Sequence, residues 1–165
     1  MIFVALGSNL PSPIHGPPLA TCQAALEVLT TRGVSIRRRS RWYRSLAVPS
    51  ADQPPFINGV VEVVTTLPAE ALMAMLQEVE GAFGRQRRTP NAARILDLDL
   101  LCYHGAVTPP GATVTLPHPR LHLRGFVLKP LADLEPEWRH PISEQDIAAL
   151  VAALPADQWA EPLTA

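Results

Sequence analysis

The sequence predicts an α+β fold, an antiparallel sheet with helices packed on one face. Three observations lead there. Short aliphatic and β-branched runs alternate with two segments of helical periodicity. Their order is strand, helix, strand, strand, helix, strand. The prolines, 18 in all, gather between these segments and punctuate them.

Residues 1–6 form a continuous apolar run, which suits a buried strand, and Gly7-Ser-Asn-Leu then turns the chain. Residues 19–31 carry Ala25, Leu26 and Leu29 at helical spacing and stop before Gly33. Residues 34–43 alternate Val34 and Ile36 against Ser35 and Arg37, a strand pattern. Residues 56–65 hold Ile57, Val60, Val61, Val63 and Val64 and predict a strand paired with the preceding one. Residues 68–83 start with Pro68, place Leu72, Met73, Leu76 and Val79 on one face, and stop before Gly84. Residues 94–103 form another strand, and the tail after Leu128 suits short helices. This order is the ferredoxin-like pattern. It predicts one domain over residues 1–165, with the part after about residue 140 peripheral. Such a fold hosts many activities, so function must come from the site.

Hydrophobic residues make up 47% of the chain, a globular composition. The net charge of −1 points to no nucleic-acid or membrane partner. Lys129 is the only lysine, so a phosphate clamp here must be built mainly from arginine, whose fork of donors matches phosphate oxygens. The two cysteines, Cys22 and Cys102, show no CxxC or disulfide pattern, and a reduced cytoplasm is expected. The apolar N-terminal run is short and lacks the basic flank of a signal peptide.

The most informative stretch is Arg94-Ile-Leu-Asp-Leu-Asp-Leu-Leu. On a strand, Asp97 and Asp99 point to the same face, with Cα atoms about 6–7 Å apart. Two carboxylates that close repel, and a divalent cation between them removes the repulsion. Magnesium takes one or two carboxylates and completes its shell with water and substrate phosphates. An arginine-rich loop, with Arg85, Arg87, Arg88 and Arg94, leads straight into this strand, and guanidinium groups beside a metal-binding acidic pair suit a polyphosphate. The bland alternative is a solvated strand face and a solvated basic loop. No GxxxxGK[ST] loop and no kinase signature is present, so a bound nucleotide would use neither familiar cradle.

Two further groupings stand out. In Leu116-Pro-His-Pro-Arg-Leu-His-Leu-Arg-Gly-Phe, His118 lies between prolines in an extended segment, either at a site mouth or on a surface turn. His118 and His122 are i,i+4, but no further ligand cluster supports zinc. In Asp52-Gln-Pro-Pro-Phe-Ile-Asn-Gly, Phe56 and Asn58 share a strand face, and an aromatic beside an amide suits a flat heterocycle. A core phenylalanine with a turn asparagine is the competing reading.

Together with Ala5-Leu-Gly-Ser-Asn-Leu, these motifs resemble the 6-hydroxymethyl-7,8-dihydropterin pyrophosphokinase family, in order from Ile2 to about Pro136. The resemblance implies transfer of diphosphate from ATP to a hydroxymethyl-dihydropterin in folate synthesis. It implies that Asp97 and Asp99 hold two Mg2+ ions, and that Arg85 and Arg94 contact the triphosphate with Arg87 close by. Gln77, Glu80 and Leu98 would line the nucleotide site. The backbone of Thr113, Val114 and Thr115 would recognise adenine, and His118 and Arg124 would bind phosphate or ribose. The pterin would lie between Phe56 and Phe126, with Asn58 and the backbone near Ser45, Leu46 and Val48 reading its edge. The implied partners are the two small-molecule substrates, with no nucleic acid and no membrane, and the implied state is a monomer or weak dimer. Two places depart from the family pattern. Asn91-Ala92-Ala93 stands where Trp-Gly-Pro is usual, and Ser45-Leu46-Ala47-Val48 replaces a more proline-rich loop.

Three other readings compete with this one. An RNA-binding ferredoxin-like module would need an aromatic RNP signature and a basic balance that the sequence lacks. A family member with a changed acceptor is motivated by the Asn91 region. A two-metal nuclease would also use paired aspartates.

Overall fold

A computed structural model describes residues 1–46, 53–84 and 94–164. The first strand, β1 (Ile2–Ser8), is buried at every position. Such continuous burial follows from its place inside the sheet with covered faces, and this is why its sequence is apolar throughout rather than alternating. The first helix, α1 (Pro18–Thr31), opens on proline, which lacks the amide that a helix start leaves unpaired. It closes where Gly33 takes φ +87° and Val34 N–H returns to the Leu29 carbonyl at 3.0 Å.

The expected strand over residues 34–43 is interrupted. It forms β2 (Ser35–Arg39) and β3 (Tyr43–Ser45), both antiparallel to β4 (Phe56–Val64). The cause lies opposite the break. A Cβ on Gly59 of β4 would come within 2.7 Å of the Trp42 ring, so the missing side chain is the seat of the indole. Ser40 holds the bend by accepting from Val60 N–H at 2.9 Å. The second helix, α2 (Ala69–Ala82), buries Leu72, Leu76, Val79 and Glu80. It leads to β5 (Asp97–Tyr103), which pairs with β1. The sheet runs β5-β1-β4-β3, with β2 also on β4.

The helices α1 and α2 cover one face, as the pattern predicts. They pack on Ile2, Val4, Leu6, Val61, Leu98 and Leu100. The opposite face is covered too. Phe3, Ala5, Val60 and Leu101 meet α3 (Gly125–Leu134) and α4 (Ile147–Ala152) through Val127, Leu128, Leu131, Ile147 and Leu150. Helices on one face alone therefore describe only half of the architecture: β1 carries apolar side chains on both sides, and both need cover. The C-terminal part is likewise integrated rather than peripheral. The last strand, β6 (Ala160–Pro162), extends the sheet beside β3, and Ala160 is buried. Cys22 and Cys102 are free and buried, and burial raises each thiol to about 12, so both behave as inert apolar groups. No helix among the described residues is long and apolar enough to cross a membrane.

Candidate active site

The second sheet face changes character along its length. Register places Gly7 beside both Asp97 and Asn58, and Ala5 beside both Asp99 and Val60. Tyr43 lies opposite Asn58, and Ser45 opposite Phe56. Residues facing one another across antiparallel strands share a side. Asp97, Asp99, Asn58, Phe56 and Ser45 therefore come to one face, as alternation predicted for the two aspartates and for Phe56 with Asn58. All five line a cleft of about 240 Å3.

The walls come from two segments. Arg94 precedes β5 and donates from Nη1 to Asp97 Oδ1 at 2.9 Å, each side chain 22% exposed. Across from it, the segment before and into α3 supplies His118, Arg120, Arg124 and Phe126. His118 N–H bonds the Leu101 carbonyl at 2.9 Å, which ties this wall to β5. The Arg124 guanidinium lies 5.5 Å from the centre of the Phe126 ring. Burial lowers the Arg124 pKa; Asp99 and Asp97 act against that shift, while Arg120 and Arg94 add to it. His118 is pushed down to about 4, first by burial and then by Arg124 and Arg120. Its Nδ1 accepts from Arg120 N–H at 3.1 Å, so the ring is neutral near pH 7 and offers Nε2–H as a donor.

At the other end of the cleft, Ser45 Oγ donates to Asn58 Oδ1 at 2.6 Å. That fixes the amide and leaves its N–H group to meet a ligand edge. Phe56 and Phe126 stand on the two sides as apolar walls, and Leu46 lines the rim, 45% exposed.

The other expected nucleotide residues lie elsewhere. Glu80 is buried and its Oε2 accepts from Leu98 N–H at 2.8 Å, between the two aspartates. Leu98 and Val114 point into the first core, while Gln77, Thr113 and Thr115 are exposed. None of these side chains lines the cleft. Glu80 instead satisfies an edge amide of β5, so it holds the strand that presents the carboxylates. Arg85, Arg87 and Val48 fall outside the described residues.

Asn9 and Arg120 are functional candidates that sequence reasoning passed over. Asn9 is 1% exposed. Its Oδ1 accepts from Arg94 N–H at 2.7 Å, and its Nδ2 donates to the Pro54 carbonyl at 3.1 Å and to Gln53 Oε1 at 3.3 Å. One amide therefore joins the approach to the carboxylate strand to the approach to Phe56. The only sequence signal was an asparagine in a turn motif, which ordinarily means a solvated turn.

Two carboxylates on one wall suit a hard cation that fills its shell with water and phosphate oxygens. No cluster of three or more His, Cys, Asp or Glu side chains able to hold a metal occurs among the described residues.

Known proteins resemble the chain in sequence and in fold. The sequence matches the 7,8-dihydro-6-hydroxymethylpterin-pyrophosphokinase (HPPK) family over residues 3–136. A Synechocystis protein called 2-amino-4-hydroxy-6-hydroxymethyldihydropteridine pyrophosphokinase is 39% identical over 149 residues, covering 90% of this chain and 73% of that one. A Pseudomonas aeruginosa protein of the same description is 38% identical over 158 residues, covering 93% and 91%. A crystal structure of Plasmodium falciparum HPPK-DHPS superposes with a TM-score of 0.68 at 12% identity. That alignment covers 92% of this chain and 44% of the other, and it speaks for the fold alone. A match across most of the chain, with relatives at this identity along most of their own length, means that the chain belongs to the 7,8-dihydro-6-hydroxymethylpterin-pyrophosphokinase family.

Proposed function

We propose that the cleft transfers diphosphate from ATP to the hydroxymethyl group of 6-hydroxymethyl-7,8-dihydropterin and releases AMP. The activity follows from family membership and makes the chain an ATP-dependent pyrophosphokinase of folate biosynthesis. The observation that carries the assignment of residues is the shared wall: Asp97, Asp99, Arg94, Arg124 and His118 converge on one cleft that also holds Phe56, Asn58 and Phe126.

In this reading the pterin ring lies between Phe56 and Phe126, and Asn58 and Ser45 read its edge while Leu46 closes the rim. The triphosphate runs toward Arg94, Arg120 and Arg124, which neutralise its charge, and His118 Nε2–H donates to a phosphate or ribose oxygen. The nucleoside extends past the edge of β5 toward Gln77, Thr113 and Thr115. Asp97 and Asp99 would hold two Mg2+ ions. When bound, such ions neutralise phosphate charge and orient the attacking and leaving oxygens.

The substrate hydroxyl oxygen attacks the β-phosphorus, and the bond from that phosphorus to the oxygen bridging to the α-phosphate breaks. AMP takes the bond's electron pair, and the hydroxyl proton leaves to solvent. The residues that line the cleft contribute position and charge rather than a strong base. Arg85 and Arg87 join the phosphate contacts in this proposal. The free, buried cysteines support a reducing compartment, the cytoplasm.

The test is direct. Protein, MgATP and hydroxymethyl-dihydropterin should give AMP and pterin diphosphate in equal amounts. AMP formed only with a different alcohol would move the acceptor, and ADP as the nucleotide product would refute the transfer.

A further inference from the structure

We propose that His15 is a positioning residue for diphosphate transfer, acting through Phe83 on the strand that carries Asp97 and Asp99; the proposal rests on the carboxylate assignment above. His15 lies in the segment that follows β1, and its ring stacks on Phe83 with centroids 4.7 Å apart and planes at 22°. Phe83 caps the C-terminus of α2 and is 9% exposed.

The segment is built to present that ring. Ser12 and Gly16 exchange backbone hydrogen bonds at 2.7 and 2.9 Å. Ser12 Oγ sits inside the turn and accepts from the N–H groups of Ile14 and His15 at 3.2 and 3.1 Å. Gly16 takes φ +91°, a conformation that favours glycine, and so closes the turn without strain. The backbone under His15 is thus fixed from both sides.

The same segment also grips the other approach to the carboxylates. The N–H groups of Asn9 and Leu10 both bond the Arg94 carbonyl, at 3.0 and 3.1 Å. Arg94 in turn holds Asp97. Residues 9–16 therefore brace two things at once. One is the residue that leads into β5. The other is the end of α2, whose Glu80 receives Leu98 N–H between the aspartates. Phe83 lies three residues beyond Glu80, so its ring and the Glu80 carboxylate belong to the same last turn. A shift of that turn moves the hydrogen bond that fixes β5 midway between its two carboxylates. Arg94 is held by backbone contacts that survive any side-chain change at position 15. The stack is the part of the brace that a single substitution removes.

The experiment compares wild type, His15→Ala and His15→Phe, assayed well below their melting temperatures. It reads kcat for AMP formation, the Mg2+ concentration giving half-maximal rate, and thermal stability. In His15→Ala, kcat should fall about fivefold and the Mg2+ midpoint should rise by a similar factor, the scale of one lost aromatic contact. His15→Phe should restore both, because a flat ring is what the stack requires. An unchanged kcat and midpoint in His15→Ala would overturn the proposal. So would a lower melting temperature with an unmoved Mg2+ midpoint, which marks packing alone. A wild type that makes no AMP would instead fail the transfer reading, and one that turns over without any Mg2+ requirement would fail the carboxylate assignment.

Discussion

Replacing Gly7 by alanine isolates the pterin end of the cleft. A Cβ at position 7 would sit 3.0 Å from Asn58 Nδ2 and 3.9 Å from both Phe56 Cδ1 and the Ile57 carbonyl oxygen. The first contact is about half an ångström inside the optimum for heavy atoms, and the other two are ordinary. Asn58 must therefore give way, yet it is 4% exposed and tied to Ser45 by a 2.6 Å hydrogen bond. Moving it weakens that bond and misplaces the amide N–H group. The net worth of one such hydrogen bond is about 1 kcal/mol, and a buried polar group left unsatisfied costs roughly 1–3 kcal/mol. Pterin affinity should thus fall by about 5- to 150-fold. Calorimetric titration with the pterin measures this, and a parallel titration with MgATP should be nearly unchanged, since Asp97 and Arg94 keep their contact. Wild-type pterin affinity in Gly7→Ala, or an equal loss for both substrates, would refute the placement of Asn58 at the pterin edge.

Asp97→Asn and Asp99→Asn should each lower kcat by about 10²–10³-fold while circular dichroism stays native, because only charge at the cleft is removed; a near-wild-type rate in either would end the metal assignment. Asn9→Ala removes the side-chain acceptor of the part-buried Arg94 N–H and both bonds from Nδ2, so thermal or urea unfolding should show a loss of about 1–3 kcal/mol, together with slower turnover because Arg94 then rests on its two backbone contacts alone. His118 should show no charge change between pH 5.5 and 8 by NMR titration. Its pKa is about 4 in the fold against an ordinary 6.5, so on acidification the unfolded chain takes the proton first. Stability from this group is therefore intact above pH 6.5, falls as pH drops toward 4 and changes no further below; His118→Gln should flatten that part of the melting-temperature profile.

How much of this could be read from residues alone depended on distance along the chain. Alternation is local, so Asp97 with Asp99 and Phe56 with Asn58 were legible as face-sharing pairs, and the cleft unites them. The split between β2 and β3 was not legible, because it depends on Trp42 meeting Gly59 on another strand. The second helical layer was hidden for a similar reason. Periodicity tells that α3 has a buried side, but not which face of the sheet receives it. Glu80 is the instructive case. Its spacing from Gln77 on one helix face fitted a ligand wall, yet its carboxylate turns to the open amide of Leu98. A helix pattern gives the direction of a side chain and is silent about an unpaired edge nearby.

The position of the cleft follows from one gradient of side-chain size. On the second face of β1 the residues run Phe3, Ala5, Gly7. Beside Phe3 the neighbours are Glu62 and Cys102, and Phe3 itself packs against α3. Beside Ala5 the neighbours are Val60 and Asp99, and beside Gly7 they are Asn58 and Asp97. As β1 loses bulk, Asp99, then Asp97 and Asn58, take the flanking positions, and the space no longer filled from below stays open. Phe126 stands at the start of α3, where the covering helix meets this opening, and is packed on the second core while lining the cleft. Stability and chemistry thus divide a single sheet face. Burial at the Phe3 end supplies the rigidity that holds two carboxylates in place at the Gly7 end, where their mutual repulsion would otherwise drive them apart.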